Sequence, residues 1–564
     1  MASGKKNPTR KTPPVAKQEA KKPIVPTGQD LFDRVNAWME KNYKAFFWIS
    51  IAASTILALV LFNTRLDIGG DDASYIDRTY ELIKSGRFPS FQGPLYPFVL
   101  APFVALFGIN ILLLKMLSVL FTVGQVYFLW KAFRRHAPAF VTVMSILLVA
   151  TNYYVLSYGS LTYSEAFFMF LQAVLFWFFN TRIPENDTDV SIGTHWKPYV
   201  LLALLLTAMF LSRTVGVVAA GSVFLYFLVY RRWKSLAFSL AAFIVLMGVY
   251  MVLKSAFVSS DIQFESQGKA LLLKDPYKPE LGNETVSGYF KRFSDNSNLY
   301  FSKRLMQILN FKEETNIKKN AAVAFFIYVL AVLGLVRSYK RNRYVFFAGI
   351  YALSTALLTF FAIQARWDQL RLILVVLAPL SLLIFFGLYS ITKGTALRAL
   401  QPVVMLLIPL LLLISFGRTM VEAPKNTRIL SHNLKGDIYY GYTDDWINYA
   451  NMSSWIGKNI PDSEVVICRK PSMSKLFANG RQFVGLYVVP STDPDSCYQW
   501  LADNKVDYVM DASLRRNPYK NTGQIITTIR SVLYYTSQKR PQTFTLVHTE
   551  GTKEPAYLYK VNYE

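Results

Sequence analysis

About eleven stretches of this chain are continuously apolar and approach the length that crosses a bilayer, Ala399 to Phe416 among them. A helix needs roughly 20 residues to cover ~30 Å of hydrocarbon. Runs without a regular polar face do not fit the surface helices of a soluble protein. A chain of 564 residues patterned this way reads as a mainly α, polytopic membrane protein. Its formal net charge of +25 would point to nucleic acid in a soluble protein. Here Lys and Arg fall mainly between the apolar runs and in the tails, where anionic lipid accounts for them. Membrane lipids are therefore expected partners, and nucleic acid is not.

Residues 1–44 read as a basic cytoplasmic tail, largely disordered and too polar for a signal peptide. Spans are expected at Phe46–Phe62, Ile111–Trp130, Phe140–Leu156, Ala166–Phe179, Tyr199–Leu211 and Val215–Tyr230, then at Leu236–Phe257, Ala321–Leu335, Val345–Ile363, Leu370–Tyr389 and Pro402–Phe416. With that alternation the basic loops 131–137, 231–234, 337–343 and 393–398 share one side, the cytoplasmic one. The transmembrane region is placed at 45–420, with outer loops 63–110 and 258–320. An odd number of spans puts residues 421–564 outside.

That last part changes character. Glu464–Cys468 and Val506–Met510 read as strands, and Asp444–Ile456 and Tyr498–Asn504 as helices, which predicts a small extracytoplasmic α/β domain. It lacks a Gly-rich phosphate loop. Its two cysteines, Cys468 and Cys497, are either one disulfide or two free thiols.

The unusual polar residues gather in the outer loops. The first loop opens Asp67-Ile-Gly-Gly-Asp71-Asp72-Ala-Ser-Tyr75 and continues to Pro94-Leu-Tyr96-Pro97 and a short interfacial stretch, Phe98–Phe107. Asp71 and Asp72 can act as a general base and its electrostatic partner, or as an acidic turn capping a helix from Ala73. Glu165 opens a span, where a carboxylate also suits the helix dipole. Arg213, Arg366 and Arg371 are cations on the outer side. They can bind phosphate through the guanidinium fork or pair with Asp368 or another acid. The long loop adds Lys269 and Lys274, with Lys291, Arg292, Lys303 and Arg304 beyond, which can receive a lipid phosphate at the interface or merely form an exposed basic face. Asp71 and Asp72 are adjacent and no His accompanies them, so the sequence calls for no cofactor and leaves a divalent metal open.

In their order, these pieces resemble the GT-C-type integral membrane glycosyltransferases. The branch they are most similar to is that of the protein O-mannosyltransferases and lipid A aminoarabinose transferases. The resemblance rests on the acidic pair with Ala-Ser-Tyr75, Pro94-Leu-Tyr-Pro97, Tyr163-Ser-Glu165, Leu211-Ser-Arg213 and the run from Arg366 to Pro379. The family's acidic pair is often Asp-Glu, and here it is Asp-Asp. The resemblance implies a transferase using a polyprenyl-phosphate-linked sugar, with transfer outside the membrane to a glycan, lipid or protein acceptor. It implies a bacterial inner membrane, Asp71 as base, and Asp72 and Glu165 as supporting acids. Arg213, Arg366, Arg371, Lys269 and Lys274 would bind the donor phosphate, and Tyr75 and Tyr96 would orient substrate. The competing reading is a lipid or sugar transporter or flippase, which predicts charges near the midplane and repeated halves. The sequence shows no repeat, and its charges cluster at one outer surface.

Overall fold

The computed structural model describes residues 30–90, 93–257, 271–275, 279–311, 318–364, 367–393, 395–515 and 524–563. The expected tail up to residue 29, Lys269 and Arg366 lie outside the described residues.

Twenty helices, numbered in chain order with single turns left unlabelled, carry the description. The first eleven are α1 (Leu31–Lys41), α2 (Tyr43–Val60), α3 (Asp71–Ser85), α4 (Leu95–Phe107), α5 (Ile111–Phe133), α6 (Ala139–Thr151), α7 (Tyr153–Gly159), α8 (Ser164–Arg182), α9 (Ile192–Ser212), α10 (Val217–Val229) and α11 (Trp233–Phe257). There follow α12 (Val286–Asn298), α13 (Ala321–Arg341), α14 (Arg343–Ala362), α15 (Leu377–Thr392) and α16 (Gln401–Leu434). The C-terminal part holds α17 (Asp444–Asn459), α18 (Pro471–Phe477), α19 (Pro494–Asp503) and α20 (Thr528–Lys539).

Each expected span falls on helical chain, but Phe140–Leu156 is broken between α6 and α7, and Leu370–Tyr389 opens on the separate turn Arg371–Leu374 before α15. By length and composition six described helices can cross a membrane, namely α2, α5, α11, α13, α14 and α16, or seven if the bent pair α6–α7 is counted as one span. Helices α8, α9, α10 and α15 occupy the other expected spans without meeting that measure, so the count of eleven is not reproduced. The bend of 55° between α6 and α7 has a local cause. Asn152 sits there in an extended conformation, and its carboxamide oxygen accepts from the N–H groups of Tyr154 and Val155, capping α7.

Two boundaries differ from the sequence reading. Residues 31–41, read as tail, are the helix α1, because Phe32 and Met39 are buried on one side of it. The last span does not stop at Phe416. It runs on as one 34-residue helix to Leu434, through Pro409 and Pro424.

The ends of the bundle are distinct. At one end Lys393 pairs with Asp33 at 2.6 Å, Asn342 donates to the His136 carbonyl at 2.6 Å, and the Tyr230 hydroxyl donates to the Tyr339 carbonyl at 2.7 Å. The first joins α1 to a loop expected inside, and the other two join such loops to one another. The other end carries α3, α4 and the C-terminal domain.

That domain has a five-stranded mixed sheet of order β2-β1-β3-β5-β4, with β1 (Val466–Cys468), β2 (Val484–Gly485), β3 (Tyr508–Ala512), β4 (Phe544–Glu550) and β5 (Ala556–Val561). β1 is parallel to β2 and β3, and β5 runs antiparallel between β3 and β4. The expected strands and helices are present within a few residues. Cys468 and Cys497 are free, and both are buried.

Candidate active site

Helix α3 begins at Asp71, with Gly70 at its N-cap in the left-handed region at φ 84°. Glycine takes that conformation at little cost. A Cβ on the preceding Gly69 would collide with the Asp67 carboxylate and the Tyr163 hydroxyl. The glycine pair thus lets residues 67–72 fold back on themselves. Neither aspartate is the N-cap, so the capping account of the pair, with a helix from Ala73, does not hold as expected from the sequence.

The two neighbours point into different surroundings. Asp72 is fully buried, and its carboxylate accepts the N–H groups of Asp67 at 2.6 Å and Ala73 at 2.7 Å. Burial, then the nearby Asp67 charge, pushes its pKa up to about 7. Asp71 keeps 29% of its side chain exposed and forms an ion pair with Arg371. Arg371 lies 3.7 Å from Glu165, and Glu165 pairs with Arg213 at 2.5 Å. The carboxylate of Glu165 is almost fully buried, while both arginines remain partly exposed. The result is an alternating row, Asp71, Arg371, Glu165, Arg213, drawn from four separate segments.

Further bonds hold the row in place. Tyr163 donates to Asp67, and the Arg371 guanidinium lies 5.3 Å from the centre of the Tyr163 ring. The Tyr75 hydroxyl bonds Ser164 at 2.9 Å, and Arg213 donates to the same Ser164 oxygen at 3.4 Å. A Cβ on Gly93 would collide with the carbonyls of Leu211 and Ser212, so the loop before α4 presses on the end of α9 that presents Arg213.

Other expected residues fall elsewhere. Tyr96 is wholly buried beneath Tyr75, its ring 5.1 Å from the Tyr75 ring and its hydroxyl 3.3 Å from Ser118. It packs against α5 and does not reach the partly open row. Lys274 is exposed on the long loop, and its backbone N–H donates to the Gly282 carbonyl at 3.0 Å. Asp368 is not the partner of Arg371. It pairs with Lys303 at 2.6 Å and Arg304 at 2.5 Å, beside the π-helical turn Leu299–Arg304. Arg292 is buried and paired with Glu284 at 2.8 Å.

Two cations at this end escaped the sequence reading. Lys115 of α5 is fully buried, and its ammonium donates to the Arg65 carbonyl at 2.7 Å and to Asn63 at 3.3 Å, within the field of Asp72. Lys470, from the C-terminal domain, donates to the Gly69 carbonyl at 2.9 Å. Among the described residues no three His, Cys, Asp or Glu side chains are arranged to hold a metal ion.

No family model and no curated protein sequence matches the chain. Solved structures do. ArnT from Cupriavidus metallidurans bound to undecaprenyl phosphate aligns at a TM-score of 0.54 and 14% identity, over 91% of this chain and 97% of that one. Its apo state gives 0.54 and 13%, over 92% and 98%. The archaeal oligosaccharyltransferase AglB from Archaeoglobus fulgidus, in complex with an inhibitory peptide and a dolichol-phosphate, gives 0.50 and 13%, over 84% and 70%. The fold is the GT-C fold. Spanning nine-tenths of the chain, the alignment takes in much of the C-terminal domain as well as the helical bundle.

Proposed function

We propose that this protein is a membrane glycosyltransferase. It would move a sugar from a polyprenyl-phosphate-linked donor to an acceptor on the extracytoplasmic side, in a bacterial inner membrane. The observation that carries the reading is the row Asp71, Arg371, Glu165, Arg213 at the end of the bundle that bears the soluble domain. A lipid-linked donor keeps its tail in hydrocarbon and its phosphate at the interface, so its reacting carbon lies at such an end.

Asp71 is the base in this reading. Its partial exposure leaves it open to an acceptor, whereas Asp72 is buried and occupied by two backbone N–H groups. The Asp71 carboxylate takes the acceptor hydroxyl proton, and the acceptor oxygen attacks the anomeric carbon from the face opposite the phosphate. The bond from that carbon to the phosphate oxygen breaks with inversion. The departing phosphate gathers negative charge, which Arg213 and Arg371 offset with planar donor forks. Arg366 belongs to the same proposal from its place in the sequence. Glu165 holds both described arginines in position, and Asp72 fixes the loop behind Asp71. Tyr75 orients Ser164 and with it Arg213. That ArnT was solved with undecaprenyl phosphate and AglB with dolichol-phosphate and a peptide supports a polyprenyl-phosphate donor.

A transporter reading is served less well, because this row sits at one end of the bundle and not at its midplane. The test is transfer from a radiolabelled polyprenyl-phosphate sugar by purified protein in lipid nanodiscs. Label appearing in an acceptor supports the reading. Label crossing sealed vesicles with no cleavage of the sugar–phosphate bond overturns it.

A further inference from the structure

We infer that Lys470, a residue of the soluble domain, is a binding group of the membrane-embedded site, its ammonium taking a phosphoryl oxygen of the lipid-linked donor. This rests on the glycosyltransferase reading above.

The argument begins with which cations at this end are already committed. Arg213 faces Glu165, and Arg371 faces Asp71 and Glu165. Lys115 is enclosed by the Arg65 carbonyl and Asn63 beside Asp72. Lys475 is almost fully buried between Asp77, at 2.6 Å, and Glu81. Lys470 differs from all of these. Among the described residues its ammonium has one hydrogen-bond acceptor, the neutral Gly69 carbonyl. An ammonium has three N–H donors, so two are unspent.

The position is built, not incidental. The buried Tyr449 hydroxyl accepts the Lys470 N–H at 3.0 Å and donates to the Lys470 carbonyl at 3.1 Å, which fixes the backbone at the end of β1. From there the side chain reaches over the Gly69–Gly70 turn, and a Cβ on Gly70 would stand 3.5 Å from the ammonium. The carboxylates of Asp71, Asp67 and Asp72 all act on it, yet none hydrogen-bonds it among the described residues. Burial, together with the Arg469 charge, holds its pKa below the usual lysine range. A phosphate entering beside Asp71 brings at least one more negative charge into a row whose arginines are already matched. Lys470, unlike Arg213 and Arg371, pairs with no carboxylate among the described residues, so its free donors add to theirs in meeting it.

The experiment uses the full chain in nanodiscs of neutral lipid. It measures equilibrium binding of undecaprenyl phosphate, with undecaprenol and glycerol phosphate as probes, for the wild type, Lys470→Met and Lys470→Arg. A charge-assisted hydrogen bond is worth enough to weaken undecaprenyl phosphate binding about tenfold or more in Lys470→Met. Lys470→Arg should recover most of it, and undecaprenol should not distinguish the variants. Hydrogen exchange along residues 77–85 checks that the soluble domain stays docked. Unchanged undecaprenyl phosphate affinity in Lys470→Met overturns the inference while leaving the donor reading intact. So does weakened binding with raised exchange in 77–85, which would make Lys470 a docking residue. A Lys470-dependent response to glycerol phosphate alone would place an acceptor's phosphate there and overturn it too. No binding of undecaprenyl phosphate by the wild type would sink the glycosyltransferase reading on which the inference stands.

Discussion

Adjacent aspartates with opposite environments make the sharpest residue-scale test. In Asp71→Asn the shape is kept and the proton acceptor is lost, so turnover should fall ~10²–10⁴-fold with donor binding largely retained. Asp72→Asn should lose less turnover, because that side chain acts through the loop. Full activity in Asp71→Asn would remove it from the chemistry. Asp72 also predicts a pH effect. Its native pKa of about 7 lies above the ordinary 3.8, so the folded state holds the proton more tightly. Its contribution to stability is complete below about 3.8 and is lost as pH rises through about 7. Thermal midpoints of the wild type should therefore drop between pH 5 and pH 8 by more than those of Asp72→Asn. Equal slopes would contradict the burial of an acid there. Asp71, Asp72, Glu165, Arg213 and Arg371 were all legible in the sequence as charges beside the ends of expected spans. Lys115 carried a signal too, a lone charge inside an apolar run. Lys470 carried none, since it meets Gly69 across 401 positions of sequence. Tyr96 stood in a recognisable motif, but its burial depends on the packing of α4 against α5 and is invisible to spacing.

Among the elements, the bent pair α6–α7 carries a test of integrity. The amide of Asn152 donates to the Ile308 carbonyl at 2.8 Å and the Ser415 hydroxyl at 2.9 Å, while its oxygen caps α7. One side chain therefore ties three parts of the chain together in an apolar interior. Asn152→Leu orphans two N–H groups and a carbonyl, at about 1–3 kcal/mol for each group left unsatisfied. The thermal midpoint of the purified protein should fall clearly, and Asn152→Asp, which keeps the cap, should fall less. An unchanged midpoint in Asn152→Leu would mean that the bend is held by packing alone. The helices themselves were readable because apolar runs leave few alternatives in a membrane. The break at Asn152 was not, because a polar residue within an apolar run says nothing about the partners it will find.

At the scale of the whole molecule, the grouping of the basic loops predicts orientation. Both native cysteines are buried, so thiol labelling in intact cells needs new reporters. Cysteine introduced at the exposed Lys340 should resist a membrane-impermeant reagent, and cysteine at the exposed Asp462 should react. The opposite pattern would invert the topology. The separation into a membrane part and a C-terminal α/β part was plain from the change in patterning. How the two meet was not, because it depends on the ion pairs of Lys475 with Asp77 and Glu81 and on hydrogen bonds from Gln482 to Glu81 and from Lys470 to the turn before α3.

Those ion pairs have a further consequence. Helix α3 starts at the acidic pair and is gripped by the C-terminal domain at Asp77 and Glu81, with Ser472 at 3.0 Å and Lys475 at 2.6 Å from Asp77. Asp71 and Glu81 are about 15 Å apart along one helix axis. A rod held at one end and loaded at the other makes ligand binding and domain docking two legs of a single thermodynamic cycle. If a ligand at the acidic end favours the docked pose by some factor, docking must favour that ligand by the same factor. Cutting the grip with Lys475→Met should then register as weaker affinity at a place the substitution never touches.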